Sequence, residues 1–307
     1  MKILVAHNGK MYDSQPIETY ARSMVRVLRE RGHEVIESPK SPPIARAVYK
    51  EVDFLLDIDC GRDDKGQLRW HGEQSKPDCP SAVYLIDSHG YPEMHQKLAR
   101  KYDHVFFAVW DKRDLFASHK SAHWCPNFTD AKWFDRELFE GSRLHYDFGF
   151  FGSKGGLDRA NPMKEVAERY GWKVRIDQIR RPEKHRWPHT GQAMYECNYL
   201  FNHGQKHDGP NLRVMESMLV GRTLINNSDN RDGMSKLFEP YVHYVPFGEF
   251  KDGVYNCDNL KDAMLFCRNN PVSAKLIANH AYNEVKAKHL VGNRIDQILE
   301  AVNAQRN

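Results

Sequence analysis

The chain opens on a short apolar run, Lys2–Ala6, that stops at Asn8-Gly9, and this reads as a β-strand leading into a turn. Apolar residues then recur at Ile17, Tyr20, Ala21, Met24, Val25 and Leu28, the spacing of one helix face over Ile17–Arg31. Ser14 can cap this helix, Pro16 suits its first turn and Gly32 ends it. Glu34–Glu37 begins the next extended run. Strand, helix and strand in close succession make a βαβ unit, which implies a parallel sheet.

The alternation continues. Phe54–Asp57, Ala82–Ile86 and His104–Val109 are short β-rich runs, and Tyr91–Tyr102 reads as a helix. This half closes near Gly141. A second set begins with the strand Phe148–Phe151 and a glycine-rich turn, Gly152–Gly156. Pro162–Tyr170 is a predicted helix, followed by strands at Trp172–Ile176 and Tyr199–Asn202. Arg213–Leu219 reads as a helix and Thr223–Asn226 as a strand. Leu260–Asn269, Ser273–His289 and Arg294–Val302 are the last helices. The pattern predicts an α/β protein of two successive units: residues 1–143, residues 144–290 and a closing helix in 291–307.

Composition narrows the classes. The 307 residues are 40% hydrophobic and 28% charged, enough for packed cores. No run approaches the ~18 consecutive apolar residues of a membrane span. The opening MKILVAHNGK is too short an apolar run for a secretory leader, so a cytoplasmic protein is expected. The six cysteines are scattered and form no CxxC pair, and the 16 histidines show no HExxH spacing, so no metal site is expected. Residues 1–140 carry 21 Lys+Arg against 22 Asp+Glu, and the remainder carries 24 against 19. A basic second half suits an anionic ligand, a diphosphate or a nucleic acid, although two domains also differ this much without cause.

The most informative stretch is Asp208-Gly-Pro-Asn-Leu-Arg-Val-Met-Glu216. Arg213 and Glu216 are three apart and share a helix face. Near a helix N-terminus, backbone N–H groups and an arginine hold a diphosphate, and a glutamate one turn on accepts ribose hydroxyls. The spacing equally admits a surface ion pair. Gly152, Ser153 and Lys154 lie where a first strand meets its helix; they fit neither Walker A nor GxGxxG, and taken alone a tight turn explains them better than a phosphate cradle does. Asp87-Ser88-His89-Gly90 follows a buried-looking strand. His89 is a candidate base for an acceptor hydroxyl, with Asp87 orienting it or replacing it; an Asx-type turn is the structural alternative. Asn8 and Gly9 end the first strand and are candidates on the acceptor side. Asp57-Ile58-Asp59 mimics a DxD metal motif, a pattern short enough to arise by chance. Arg180, Arg181, Lys184, Arg186 and Trp187 form a basic, aromatic-bearing segment that could track phosphates and stack a base, line a nucleotide site, or be solvated.

The segment around Asn211, Leu212, Arg213, Glu216 and Gly221 resembles the NLR-x-x-E-x-x-x-x-G motif of a glycosyltransferase family that includes the spore maturation proteins. LIDSHG (Leu85–Gly90), KYDHVFFAV (Lys101–Val109), Trp124-Cys-Pro126, DFGFFGS (Asp147–Ser153) with Arg159, and Leu276–Arg294 resemble further pieces of it in the same order. The resemblance covers roughly residues 80–300. It implies the GT-B architecture, two Rossmann-like domains facing a cleft, with the last helix returning to the first domain. It also argues against the DxD fold, since GT-B enzymes neutralise the diphosphate with Arg, Lys and helix dipoles. Phage DNA glucosyltransferases are similar at Leu212-Arg213 and Glu216. Asp208, eight residues before Glu216, resembles the first acid of the E-x7-E motif with Asp for Glu, which leaves the anomeric outcome open.

The family implies a nucleotide sugar, a UDP-sugar first among candidates, as co-substrate, with no further cofactor. Donor contacts would come from Gly152, Ser153, Lys154, Arg159, Asp208, Asn211, Leu212, Arg213 and Glu216, with Arg213 stabilising the leaving diphosphate. The acceptor is either a hydroxymethylated base in phage DNA or a saccharide or protein of a cell surface or spore coat. A sugar-nucleotide epimerase, or a silent binding module, is the alternative on the same architecture.

Overall fold

The computed structural model describes residues 1–7, 20–38, 50–59, 79–86, 88, 90–152, 159–178, 187–204, 210–227, 233–251 and 254–304. The chain begins with β1 (Lys2–His7), α1 (Tyr20–Glu30), β2 (Glu34–Ser38), β3 (Phe54–Asp59), β4 (Ser81–Leu85), α2 (Pro92–Ala99), β5 (His104–Phe107) and β6 (Ala122–Trp124). It continues with β7 (Tyr146–Gly152), α3 (Asn161–Tyr170), β8 (Val174–Gln178), α4 (Trp187–Tyr195), β9 (Cys197–Asn202), α5 (Leu212–Leu219), β10 (Thr223–Asn227) and β11 (Val245–Phe247). The last helices are α6 (Leu260–Asn269), α7 (Pro271–Lys288) and α8 (Val291–Ala304).

Two compact units result: Met1–Pro126 with Val291–Asn307, and Asn127–Leu290. In the first, six parallel strands stand in the order β2-β1-β3-β4-β5-β6. Near-continuous apolar runs such as Ile3–Ala6 and Phe54–Leu56 are buried, as strands covered on both faces require. α1 turns Ala21, Met24, Val25 and Leu28 inward, and Gly32, at φ +80°, releases the chain into β2. α8 packs against α1 in this unit. Val291, Ile295, Ile298 and Val302 are its buried stripe, and Arg294 Nε donates to the Pro126 carbonyl at 2.8 Å.

The second unit holds a five-stranded sheet, β11-β10-β9-β7-β8, again all parallel. One face, with Cys197, Leu200 and Leu224, packs on Met215, Met218 and Leu219 of α5 and on Ala281, Tyr282 and Val285 of α7. The other face, with Phe148, Phe150, Phe201 and Ile225, packs on Met163 and Ala167 of α3 and Met264 and Cys267 of α6.

The sequence pattern predicts the first boundary at 143, whereas the compact units divide after Pro126. Residues 127–143 carry Phe134 and Phe139 into the core of the second unit, and Tyr282 donates from α7 to Asp135 at 2.9 Å. That anchoring, invisible in local periodicity, decides which unit owns the segment.

Candidate functional site

In the second sheet the chain leaves β7 for β8 on one side and then crosses to β9 on the other. Such a switch opens a crevice at the carboxyl ends of the two central strands, where open α/β sheets bind ligands. Gly152 ends β7 and Asn202 ends β9. A Cβ on Gly152 would lie 3.0 Å from the Phe150 ring, a tight contact that favours glycine there.

α5 starts at this rim. Asn211 is its N-cap: its Oδ1 accepts from the backbone N–H of Arg213 at 2.9 Å and of Val214 at 3.4 Å. Such a cap stabilises a helix by about 1 kcal/mol. Pro210 before it is held through its carbonyl by Asn127 Nδ2 at 2.9 Å. Gly221, at φ +69°, ends the turn after the helix, and a Cβ there would meet Arg136 Cδ at 2.8 Å.

Arg213 and Glu216 form a hydrogen-bonded ion pair on α5. It is not a surface pair, because the Glu216 side chain is 1% exposed and that of Arg213 only 16%. Burial raises the Glu216 pKa to about 7 against the opposing charge of Arg213. Leu212 precedes them, half-buried.

Beside the helix start lies a row of amides. Asn202 and Asn226 are Cα partners across β9 and β10, and both are buried. Asn202 Nδ2 donates to Asn226 Oδ1 at 2.6 Å, and Asn226 Nδ2 to the Asn227 carbonyl at 2.5 Å. Asn227 Oδ1 accepts from Gly204 N at 2.6 Å. On the other face of the sheet Arg159 Nε donates to the His203 carbonyl at 2.5 Å, and its guanidinium lies 5.6 Å from the Phe150 ring centroid. The His203 ring sits 6.0 Å from that of Phe247. Burial first, then the Arg159 charge, holds this imidazole below its usual pKa and so neutral.

The structure therefore gathers Gly152, Arg159, Asn211, Leu212, Arg213 and Glu216 in the second unit, at or next to the carboxyl ends of its strands. Asn8, Gly9, Asp87, His89, Ser153, Lys154, Arg180, Arg181, Lys184, Arg186 and Asp208 lie outside the described residues. Trp187 opens α4. Ser88, between Asp87 and His89, is buried with its Oγ 2.9 Å from His95 Nδ1 of α2. The N-cap of α2 is Tyr91, whose side chain makes no cap hydrogen bond. Asp57 of the DxD-like triplet is buried and accepts from the Tyr102 hydroxyl. Among the described residues no three His, Cys, Asp or Glu side chains group as metal ligands, and no helix is long and apolar enough to cross a membrane. The sequence alone gives no reason to choose Asn202, Asn226 and Asn227; their one signal is an amide closing each apolar strand.

A family model described as glycosyl transferase-like matches residues 136–300, more than half of the chain. No curated protein sequence matches. Among solved structures, Anabaena Alr3699/HepE in complex with UDP is similar at 14% identity and a TM-score of 0.58, covering 99% of this chain and 100% of that one. AviGT4, a glycosyltransferase involved in avilamycin A biosynthesis, aligns at 11% identity and a TM-score of 0.57, covering 98% and 97%. A glycosyltransferase from Rickettsia africae ESF-5 aligns at 11% and 0.56, covering 99% and 98%. At such identities the likeness is one of fold.

Proposed function

Because this chain belongs to the glycosyl transferase-like family and has the GT-B fold of two Rossmann-like units, we propose that it moves a sugar from a uridine diphosphate donor to a hydroxyl acceptor. The observation that carries the donor assignment is the arginine–glutamate pair in the first turns of α5, at the carboxyl rim of the second sheet. A helix N-terminus and a guanidinium attract a diphosphate, and Arg213 keeps enough exposure to reach one. A structural relative at this fold level is described in complex with UDP, which supports the choice of nucleotide.

In the reaction the bond between the anomeric carbon and the diphosphate oxygen breaks, and one forms to the acceptor oxygen. Arg213, with the helix N-terminus, stabilises the negative charge arriving on the diphosphate. Glu216 holds Arg213 in place through their hydrogen bond and offers its carboxyl to ribose hydroxyls once Arg213 turns to the phosphates. Ser153, Lys154 and Arg159 are further donor contacts on sequence grounds. The acceptor's proton passes to His89, oriented by Asp87, or to Asp87 itself. No metal ion enters this scheme.

A DNA acceptor bearing hydroxymethylated bases is the finer reading favoured by the excess of cations after residue 140, 24 against 19 acidic residues. Salt-sensitive binding to duplex DNA supports it, and no binding at low salt leaves a saccharide or protein acceptor.

Calorimetric titration with UDP and UDP-glucose tests the donor reading. The parent is expected to bind, and Arg213→Ala to bind at least about tenfold more weakly, a loss of about 1.4 kcal/mol or more. Equal affinity in parent and variant would remove Arg213 from the site. Accumulation of an epimerised donor without any acceptor would point to the epimerase alternative.

A further inference from the structure

The amides at the rim make one continuous donor chain. The backbone N–H groups of Arg213 and Val214 donate to Asn211 Oδ1. Asn211 Nδ2 donates onward to Asn202 Oδ1 at 3.5 Å, a long contact. Asn202 Nδ2 donates to Asn226 Oδ1 at 2.6 Å, and Asn226 Nδ2 to the Asn227 carbonyl at 2.5 Å. Every step runs in the same direction. Flipping either buried amide would set oxygen against oxygen on one side and N–H against N–H on the other, so the polarity of the row fixes each side chain. The fixed β-register supports it, since Asn202 and Asn226 are opposed on the face of the sheet that also carries Leu200 and Leu224 against α5. None of these groups ionises near neutrality, so the frame stays constant while Glu216, with its pKa near 7, does not.

An apolar pair would pack there without any polar requirement. The rim instead buries two amides whose outer end touches the cap of the helix that carries Arg213. We propose that Asn202 and Asn226 are positioning residues for the donor: through Asn211 they fix the first turn of α5, and with it the place where Arg213 meets the diphosphate. This rests on the donor reading given above. The role proposed for the two amides is support of α5, with no contact of their own to the donor required.

Two variants test it: Asn202→Asp, which keeps size but turns one donating group into an acceptor, and the double variant Asn202→Leu with Asn226→Leu. Replacing both partners of the central hydrogen bond by apolar groups costs less than leaving one of them unsatisfied, although Asn211 Nδ2 and the Asn227 carbonyl lose their side-chain partners, so the double variant is available even where the first folds poorly. Two quantities are measured: amide hydrogen exchange at Arg213 and Val214, and UDP affinity by calorimetry, with thermal unfolding as the check on the fold. The expected result is a double variant that still unfolds cooperatively at a somewhat lowered melting point, with faster exchange at those two amides and UDP binding weaker by roughly tenfold. Unchanged exchange at Arg213 and Val214 overturns the proposal whatever the nucleotide does. Faster exchange with unchanged UDP affinity overturns its functional half. If the parent itself binds no UDP, the donor reading fails, and exchange alone decides whether the amides hold the helix start.

Discussion

Two arginine–carboxylate pairs of the same chemistry sit in opposite surroundings. In the first unit Arg31 meets Asp296 of α8, with a second bond from Arg31 Nη2 to Asp296 Oδ2 at 2.8 Å. In the second unit Arg213 meets Glu216 within α5. The Arg31 and Asp296 side chains are 31% and 52% exposed, against 16% and 1% for Arg213 and Glu216. Water screens the first pair and can replace either partner, so little is lost when it breaks. The second has taken a carboxyl out of water, and whatever holds that carboxyl as an anion must come from Arg213. Burial therefore separates a pair that decorates a seam from one on which the local structure depends.

The strongest break of that contrast is Arg213→Ala. At pH 8, where Glu216 is ionised, it leaves a buried carboxylate without its cation and is expected to cost about 3 to 5 kcal/mol in denaturant unfolding. Arg213→Met with Glu216→Leu removes both charges and is expected to recover most of that loss while leaving UDP unbound. Recovery of stability together with loss of binding would separate the architectural share of the pair from its proposed role with the donor.

Next in size is a steric change nearby. A Cβ on Gly191 of α4 would lie 2.3 Å from the Trp133 carbonyl oxygen. Gly191→Ala must push α4 from the segment 127–143 and is expected to cost about 1 to 3 kcal/mol, read by the denaturation midpoint. An unchanged midpoint would mean that α4 slides without resistance.

An effect of similar size is carried by protons. The folded-state pKa of Glu216, about 7, lies above its ordinary 4.5. Between those values the native form holds a proton that the unfolded chain has released, so this carboxyl favours folding fully below the unfolded value. That contribution fades as pH climbs towards 7 and is gone above it. Glu216→Gln lacks the titration. The melting temperature of the parent is therefore expected to fall relative to this variant between pH 4.5 and 7.5, and a constant difference would refute the shift.

Much of the fold was legible because periodicity is local. The 3.6-residue stripe of α1 and the apolar runs of β1, β3 and β9 announce themselves within a dozen residues. α4 did not, since Pro188 and Gly191 both read as helix breakers, and Gly191 is demanded by a backbone atom of a distant segment. β6 and β11, at three residues each, give too little pattern. The boundary at Pro126 depends on Phe134 and Phe139 finding their core further along the chain. The site divides in the same way. Asn211, Arg213 and Glu216 stand together in sequence and could be read as a unit. Asn202 and Asn226 are ordinary strand-ending amides until the register of β9 and β10 sets them side by side.

The smallest expected effect lies at the other pair. α8 is tied to its unit by Arg31 on the Gly292 carbonyl at 3.0 Å, by Gln297 on the Trp124 carbonyl at 2.7 Å and by its buried Val291, Ile295, Ile298 and Val302. Asp296→Asn keeps the size of the side chain and an oxygen for Arg31, and removes one charge that water already half surrounds. Its cost is expected to stay below about 1 kcal/mol and to shrink further in salt. Ile295→Ala, one residue away on the same helix, removes fully buried carbon and is expected to cost about 2 to 5 kcal/mol. Denaturant unfolding of both variants at low and high salt gives the comparison. If Asp296→Asn lost as much as Arg213→Ala, and salt made no difference, burial would no longer be what distinguishes the two pairs, and α8 would have to be held by charge rather than by its apolar stripe.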